Sequence, residues 1–565
     1  MAGAAAYANS VSVPLLFDDE TSIATNESVR HWVAALWPPT GTTVSGRPLL
    51  NLSLALNYSI SGTAVWSYHA VNVAIHVLAG LTLFGVVRRT LAPRSCARTA
   101  SLTAFSVALL WILHPLQTES VTYIIQRAES LMGLLYLLTL YCFIRGAERE
   151  PAFARRSALQ ASEGGEDKMG ARRAWFALSV LACLLGMATK EVMVSAPLIV
   201  LLYDRTFFTC SFRKALRRRW GVYVGLGATW VALLLLVLST HGRGGTAGFA
   251  SRISPVSYAI TQFPAVVHYL RLCVWPHPLI FSYGATLAPG LGQIVPSVLV
   301  VALLLAASAW ALIHRPAVGF LGISFFAILA PTSSIVPIAT ETMAEQRMYL
   351  PLISVVVLVV IGIHRWLGRG ALPCCLLLAA ALLGTTWQRN KDYSDLLKLW
   401  GDTVAGVPHN FYAHYNYGSE LGKIPGRSKD SIAQFEEALR LDPDSVEARF
   451  YLACELQNEP GRLSDAIAQY EEALRLDPDY YQAHTNLGNV MAAQGRAPEA
   501  IAHYESALRL RPDMAEIHFN LAVVLLGTPG GTREAVEHLK AALQLQPDNE
   551  RVRKMLAGIT GPQSQ

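Results

Sequence analysis

Phe17-Asp18-Asp19-Glu20 sets three consecutive carboxylates near the start of a 565-residue chain, after an apolar run and ahead of many hydrophobic segments. Carboxylates crowded at the rim of low-dielectric lipid repel one another. At least one is expected to hold its proton above the usual range. A group of that kind suits general-base work on an alcohol. The competing reading is a solvated acidic turn. What decides between them is whether the apolar segments bring other polar groups to the same place.

Those other groups are recognisable by type. His114, Glu119, Arg127 and Glu129 fall together between two apolar runs; Lys190 and Glu191 are adjacent; Glu345 and Arg347 precede another run. Charged groups at span ends are costly to bury and mark function by default. Arginine grips phosphate through a planar fork of donors, and lysine supplies a point charge. One base and several cations on one rim suit transfer from a lipid-linked phosphate. Helix-end snorkelling and structural ion pairs are the plainer alternative. His69, Asn72 and His76 stand at helical spacing on one apolar segment and form a polar stripe, which also suits interhelical hydrogen bonding. Without a carboxylate partner the two histidines give no metal site, and none is expected. The eight cysteines, Cys96, Cys142, Cys183, Cys210, Cys273, Cys374, Cys375 and Cys454, have no ligand spacing and read as small core residues.

The elements that must position these groups follow from composition. The chain is 52% apolar and only 15% charged, with a mean hydropathy of +0.34. Soluble domains average roughly 25% charge. The net charge of +6 is modest and gives no nucleic-acid footprint. Val65 to Val87 is long enough to span a bilayer, and further spans are expected near 100–114, 130–144, 174–189, 192–203, 220–240, 293–313, 317–330, 348–364 and 370–387. Residues 1 to 16 hold no Lys or Arg and are too short to span. They read as a half-helix, or as the remainder of a helix cut short by a late start.

Basic residues set the orientation. Arg88, Arg89, Arg94 and Arg98 form one cluster. Arg145, Arg149, Arg155, Arg156, Lys168, Arg172 and Arg173 form a second. Arg205, Arg213, Lys214, Arg217, Arg218 and Arg219 form a third. These loops are expected to be cytoplasmic. Arg315, Arg365 and Arg369 join them only if 256–275 does not cross. That stretch, with Pro264, His268 and Arg271, is therefore read as interfacial or re-entrant. The acidic loop and the chain beyond the last span then share the opposite side.

With those residues in place, a resemblance emerges. Phe17-Asp18-Asp19, Arg47-Pro48, Tyr68-His69-Ala70-Val71-Asn72 with His76, His114-Pro115-Leu116-Gln117-Thr118-Glu119-Ser120-Val121, Arg127-Ala128-Glu129, Lys190-Glu191 and Ala344-Glu345-Gln346-Arg347-Met348-Tyr349-Leu350-Pro351 resemble the transmembrane-and-TPR-containing O-mannosyltransferases. The resemblance runs through nearly the whole chain and departs from the family at the abbreviated N-terminus. It implies a GT-C glycosyltransferase fold with a lumenal or periplasmic site, a polyprenyl- or dolichyl-phosphate sugar donor, and a Ser or Thr hydroxyl acceptor. No other cofactor is implied. By position, Asp18 is the expected base, and Asp19 orients donor or acceptor. Arg127, Lys190 and Arg347 are the expected phosphate cations, supported by His69, His114, Glu119, Glu129, Glu191 and Glu345.

After Trp387 the composition turns polar, with an amphipathic linker over 388–410. Repeats follow. Leu441-Asp442-Pro443-Asp444, Leu476-Asp477-Pro478-Asp479, Leu510-Arg511-Pro512-Asp513 and Leu545-Gln546-Pro547-Asp548 recur at intervals of 35, 34 and 35 residues. Small residues (Ser431, Ala466, Ala500, Ala535; Ala438, Ala473, Ala507, Ala542) keep that period, with Phe435, Tyr470, Tyr504 and Leu539 between them. This is the tetratricopeptide pattern. Asn416, Asn486 and Asn520 share one repeat position and could bond an extended acceptor peptide in a concave groove; Asn is also simply common there.

The expected architecture is all-α. It has a polytopic GT-C-like membrane domain over 1–387, the linker, four tetratricopeptide repeats over 411–548, and a capping helix and tail over 549–565. A bacterial inner membrane with periplasmic repeats is the expected location, with the ER membrane as the alternative. The expected partners are a lipid-linked sugar, an acceptor protein and the membrane. The rival function is a membrane-anchored repeat scaffold without catalysis.

Overall fold

The computed structural model describes residues 1–150, 165–240, 254–284, 290–333 and 341–561. Arg155 and Arg156 of the second basic cluster, and the last residues of the tail, lie outside the described residues. The described residues are helical, without strands, and the chain divides into two compact units, Met1–Leu399 and Trp400–Gln565.

In the first unit, a helix α1 (Pro48–Ser61) follows the acidic loop. Then come α2 (Trp66–Leu91), α3 (Ala97–Ile112), α4 (Arg127–Glu148), α5 (Gly165–Met187), α6 (Ala196–Asp204), α7 (Phe212–Leu238), α8 (Pro255–Val274), α9 (Leu291–His314), α10 (Pro316–Leu329), α11 (Leu352–Leu367) and α12 (Ala371–Ser394). In hydrocarbon every backbone group must be satisfied within its own segment, which leaves the α-helix as the form for these apolar runs. Seven stretches are long and apolar enough to cross. The last of them, Leu352–Ser394, is 43 residues. As one helix it would be about 65 Å long, twice a bilayer's apolar thickness. It is instead a hairpin. Gly368, at φ 51, turns the chain between α11 and α12. The Tyr349 carbonyl ahead of α11 accepts from Trp111 Nε1 at the end of α3, and Thr386 late in α12 donates to Leu113 at that same end. Splitting that stretch, and adding the short α10 and the α3 helix with its 57° bend into residues 115–122, brings the candidate passes among the described residues to ten.

Contacts fix which ends lie together. His69 at the start of α2 meets Val13 below the acidic loop, whereas Arg89 at its far end meets Glu148 at the end of α4. Arg205 beyond α6 donates to Leu312 near the end of α9. Two rims result: an aspartate rim and a basic rim. The placement of α8 is informative. Tyr258 near its start donates to the Thr332 carbonyl, and the Cys273 carbonyl near its end accepts from His114. Both ends thus touch the aspartate rim, as an interfacial helix would, and the charge pattern of Arg315, Arg365 and Arg369 asks for the same.

The last membrane helix runs on to Ser394, beyond the sequence boundary at 387. Within the expected linker only Leu396–Gly406 forms a separate helix, and the two units divide inside it.

The second unit holds four helix pairs. They are Phe411–Gly422 with Ser428–Leu441, Val446–Asn458 with Leu463–Leu476, Tyr481–Ala493 with Ala497–Leu510, and Ala515–Leu526 with Thr532–Leu545. Glu550–Thr560 closes the array. The periodic small residues are where helices meet: Ala466, Ala473, Ala500, Ala507, Ala535 and Ala542 are fully buried, and the Tyr470 and Tyr504 rings fill the space between. A Cβ on Gly488 would lie 2.8 Å from the Tyr504 ring, so glycine permits that approach.

Candidate functional site

The aspartate rim is built from loops, each pinned to a helix end. Phe17 has a φ of 30°, unusual for a bulky residue, and its strained backbone turns Asp18 and Asp19 different ways. Asp19 is fully buried. Its Oδ2 accepts from the Leu16 N–H at 3.0 Å and its Oδ1 from the Ile125 N–H at 2.7 Å, so it clasps the acidic loop to the segment before Arg127. Burial pushes its carboxyl up to about 8, against the lowering effect of those N–H groups. Asp18 is only half-buried. Thr43 Oγ1 donates to its Oδ2 at 2.9 Å, and its own N–H donates to the Tyr123 hydroxyl at 2.9 Å. Burial raises the Asp18 carboxyl too, opposed by Thr43 and the charge of Arg47. The two neighbours therefore differ in use. Asp19 is committed to the backbone, and the half-buried Asp18 is held by the Thr43 side chain.

The expected cations are all on this rim, and their donors are engaged. Arg127 is fully buried. It gives Nε to Asn72, Nη1 to Ser53 and Asn57, and Nη2 to the Tyr68 carbonyl. That set makes it a post joining α1, α2 and α4 and leaves it little to offer a phosphate. Arg347 gives Nη1 to the Tyr258 hydroxyl and the Thr332 and Thr342 carbonyls, and Nη2 to the Glu341 carbonyl. Lys190 pairs with Glu129 at 2.7 Å. Glu191 lies 3.6 Å from Arg47.

The supporting groups are clamps. His69 donates Nε2–H to the Val13 carbonyl. His114 Nδ1 accepts from the Leu116 N–H while Nε2–H donates to Cys273. His76 donates Nε2–H to Ile112, which leaves Nδ1 to accept from the Tyr349 hydroxyl. Gly133 has no room for a Cβ against that Tyr349 ring. Glu119 accepts from the Gln346 N–H, and Glu345 from the Ile280 N–H and the Tyr283 hydroxyl. Burial pushes Glu341 and Glu345 up to about 7, opposed at Glu341 by the charge of Arg347 and at Glu345 by that of Arg389.

Sequence reasoning missed Thr43, Tyr123, Glu341 and Arg389, and used Arg47 only as part of a motif. Glu341 feels the charge of Asp18, and Glu119 feels those of Glu341, Glu345 and Arg389, so these groups form one continuous polar region. Arg389 ends the last span on this rim. The rule that picked out Arg347 would have found it had the span not been closed at residue 387.

In the repeats, the three asparagines bond within the array. Asn416 donates to the Tyr412 carbonyl, Asn486 to the Tyr470 hydroxyl and Cys454 sulfur, and Asn520 to Asn489.

Fold and site together define a multi-pass, all-α membrane protein carrying a tetratricopeptide array and a buried, charged site on one rim. Models described as tetratricopeptide repeat match residues 460–515 and 491–559. Protein O-mannosyl-transferase TMTC1 of Homo sapiens is 25% identical over 502 residues, covering 78% of this chain and 54% of the relative. Protein O-mannosyl-transferase F38B6.6 of Caenorhabditis elegans is 22% identical over 470 residues, covering 77% and 61%. Protein O-mannosyl-transferase TMTC2 of Homo sapiens is 30% identical over 213 residues, covering 36% and 23%. Among solved structures, that of MamA protein is 23% identical, covers 30% of this chain and 90% of that one, and has a TM-score of 0.26. The resemblance to the transmembrane-and-TPR-containing O-mannosyltransferases therefore extends from the quoted phrases to most of this chain. The chain spans 54% and 61% of the length of the first two relatives.

Proposed function

We propose that the chain is a membrane glycosyltransferase. It moves a mannose-like sugar from a polyprenyl- or dolichyl-phosphate to a Ser or Thr hydroxyl of a protein acceptor. The observation that carries this reading is the division of labour at the acidic loop: Asp19 is spent on backbone N–H groups, and the half-buried Asp18 is held by the Thr43 hydroxyl. In the proposed reaction Asp18 takes the hydroxyl proton as the acceptor oxygen attacks the anomeric carbon. The bond from that carbon to the phosphate oxygen breaks on the opposite face, giving inversion in one displacement of GT-C type. The phosphate leaves as an anion, and cations stabilise its charge without a separate acid.

The clustering of Arg88, Arg89, Arg145, Arg149, Arg205 and Arg218 on the basic rim supports a cytoplasmic basic rim and a lumenal or periplasmic site. The repeats follow a helix that ends on the aspartate rim, which supports placing them on the same side to present a protein acceptor. The test is incubation of the purified full chain with polyprenyl-phosphate mannose and candidate acceptor proteins, read by mass spectrometry. Hexose on Ser or Thr is the expected result. No transfer across a broad donor and acceptor panel would favour a repeat scaffold.

A further inference from the structure

Arg389 is 8% exposed, and its Nε and Nη2 are buried with no hydrogen-bond partner. Nη1 lies 4.0 Å from Asp392, and the guanidinium also interacts with the Tyr393 side chain and with the charges of Glu345 and Glu119. The contrast with Arg127 and Arg347 is direct, since both spend their donors on protein acceptors. Buried donors left unmade are costly. A guanidinium that keeps two of them in a charged region is set up for an acceptor that is not protein.

The two open donors have a specific geometry. Nε–H and the neighbouring Nη2–H lie on one edge of the planar guanidinium and point the same way. That edge matches two oxygens of a phosphate. The fork is also held still. Next to it, Asn390 donates to the Ala6 carbonyl and accepts from Thr122, and Thr386 one turn earlier is bonded to Leu113. The guanidinium lies 5.2 Å from the Tyr393 ring centre. Tyr393 packs edge-on against Phe281 at 5.7 Å, and Phe281 meets Tyr123 at 5.4 Å. Tyr123 in turn accepts from the Asp18 N–H. One row of rings thus links the open fork to Asp18.

We infer that Arg389 binds the phosphate of the lipid-linked donor through its Nε and Nη2 edge. This rests on the glycosyltransferase reading above. A polyprenyl-phosphate sugar is a phosphodiester with one negative charge, and one guanidinium balances it. The carboxylates around it have other partners: Asp392 pairs with Lys398 at 2.9 Å, Glu119 accepts from the Gln346 N–H, and Glu345 accepts from the Ile280 N–H and Tyr283 hydroxyl.

The test is equilibrium binding of labelled polyprenyl phosphate, which carries no sugar, to the full chain in nanodiscs. Wild type is compared with Arg389→Gln, Arg389→Lys and, on the basic rim, Arg369→Gln. Arg389→Gln is expected to weaken binding by about 10- to 100-fold. Arg389→Lys keeps charge and loses the fork, and is expected to fall in between. Arg369→Gln is expected to bind as wild type does. Equal binding by Arg389→Gln and wild type would overturn the assignment and leave the donor reading standing. No binding by wild type would overturn both. Methyl mannoside competition is run alongside. Loss of that competition in Arg389→Gln, with phosphate affinity intact, would overturn the inference in favour of a sugar-hydroxyl contact. Should Arg389→Gln misfold, wild-type affinity in a folded Arg389→Lys overturns the bidentate contact, and weakened binding supports it.

Discussion

The two rims of the membrane unit each bury an arginine among carboxylates, and they are finished differently. On the basic rim Arg219 gives Nε and Nη2 to Glu150 and Nη1 to Asp204; Arg218 joins at Glu150, and the Tyr223 hydroxyl donates to Asp204. Each charge of that cluster is answered within the chain. On the aspartate rim Arg389 keeps two unused donors, and the half-buried Asp18 carboxyl is held by the Thr43 hydroxyl rather than by a cation. Closed networks hold helices together. Open ones, in a fold that could have closed them, hold capacity for a ligand. Burial of charge alone does not separate the Arg219 cluster from Arg389, and the partners of each donor atom do.

The comparison breaks most forcefully at Arg219. Arg219→Met leaves Glu150 with only the partly exposed Arg218 and deprives Asp204 of its cation. The expected loss is about 3–5 kcal/mol of stability, the usual cost of orphaning a buried charge. Thermal unfolding checks it. The surviving folded fraction is expected to bind polyprenyl phosphate as wild type does; a selective loss of that binding would place function on the basic rim as well.

The next effect is pH dependence. The Asp19 carboxyl, raised by burial to about 8 from an ordinary 3.8, holds a proton that the unfolded chain has lost over the interval between those values. A folded state that binds more protons loses stability as pH rises. From this group the slope is up to about 1.4 kcal/mol per pH unit. Glu341 and Glu345, raised by burial to about 7, add the same sign up to their own values. Melting of Asp19→Asn from acid to neutral pH is expected to fall less steeply than that of wild type. An unchanged slope would remove Asp19 as its source.

A smaller effect sharpens the contrast between the two aspartates. Thr43→Val removes the hydroxyl that opposes the rise at Asp18. The acid limb of the transfer rate is expected to move to higher pH, with the plateau kept within about tenfold. An acid limb that stays in place would detach Asp18 from that limb. Smallest is Asn520→Ala, which deletes one bond to Asn489. It is expected to cost about 0.5–1.5 kcal/mol in the repeat unit, read by hydrogen exchange, with no change in polyprenyl phosphate affinity.

The sequence carried the repeats almost completely, because a recurring Leu-x-Pro-Asp and its small residues report packing inside each helix pair directly. It carried the membrane helices through apolar runs and the placement of α8 through Arg315, Arg365 and Arg369. It carried the chemistry of the aspartate rim less evenly. Asp18 and Asp19 look alike as letters. Only the backbone N–H groups of Leu16 and Ile125, one of them 106 positions away, distinguish them. Arg127 and Arg347 look like free cations, and their saturation by carbonyls cannot be read from neighbours in sequence. Arg389 was hidden by a boundary: Trp387 ends the apolar run, yet the helix continues to Ser394 and delivers the arginine to the rim.

The most direct test of the account is Asp18→Asn in the transfer assay with polyprenyl-phosphate mannose, at matched protein and with donor affinity measured in parallel. The substitution keeps size and removes basicity. The expected result is a fall in transfer rate of about 10²–10⁴-fold with donor affinity retained. Near-wild-type turnover by the folded Asp18→Asn protein would contradict the account.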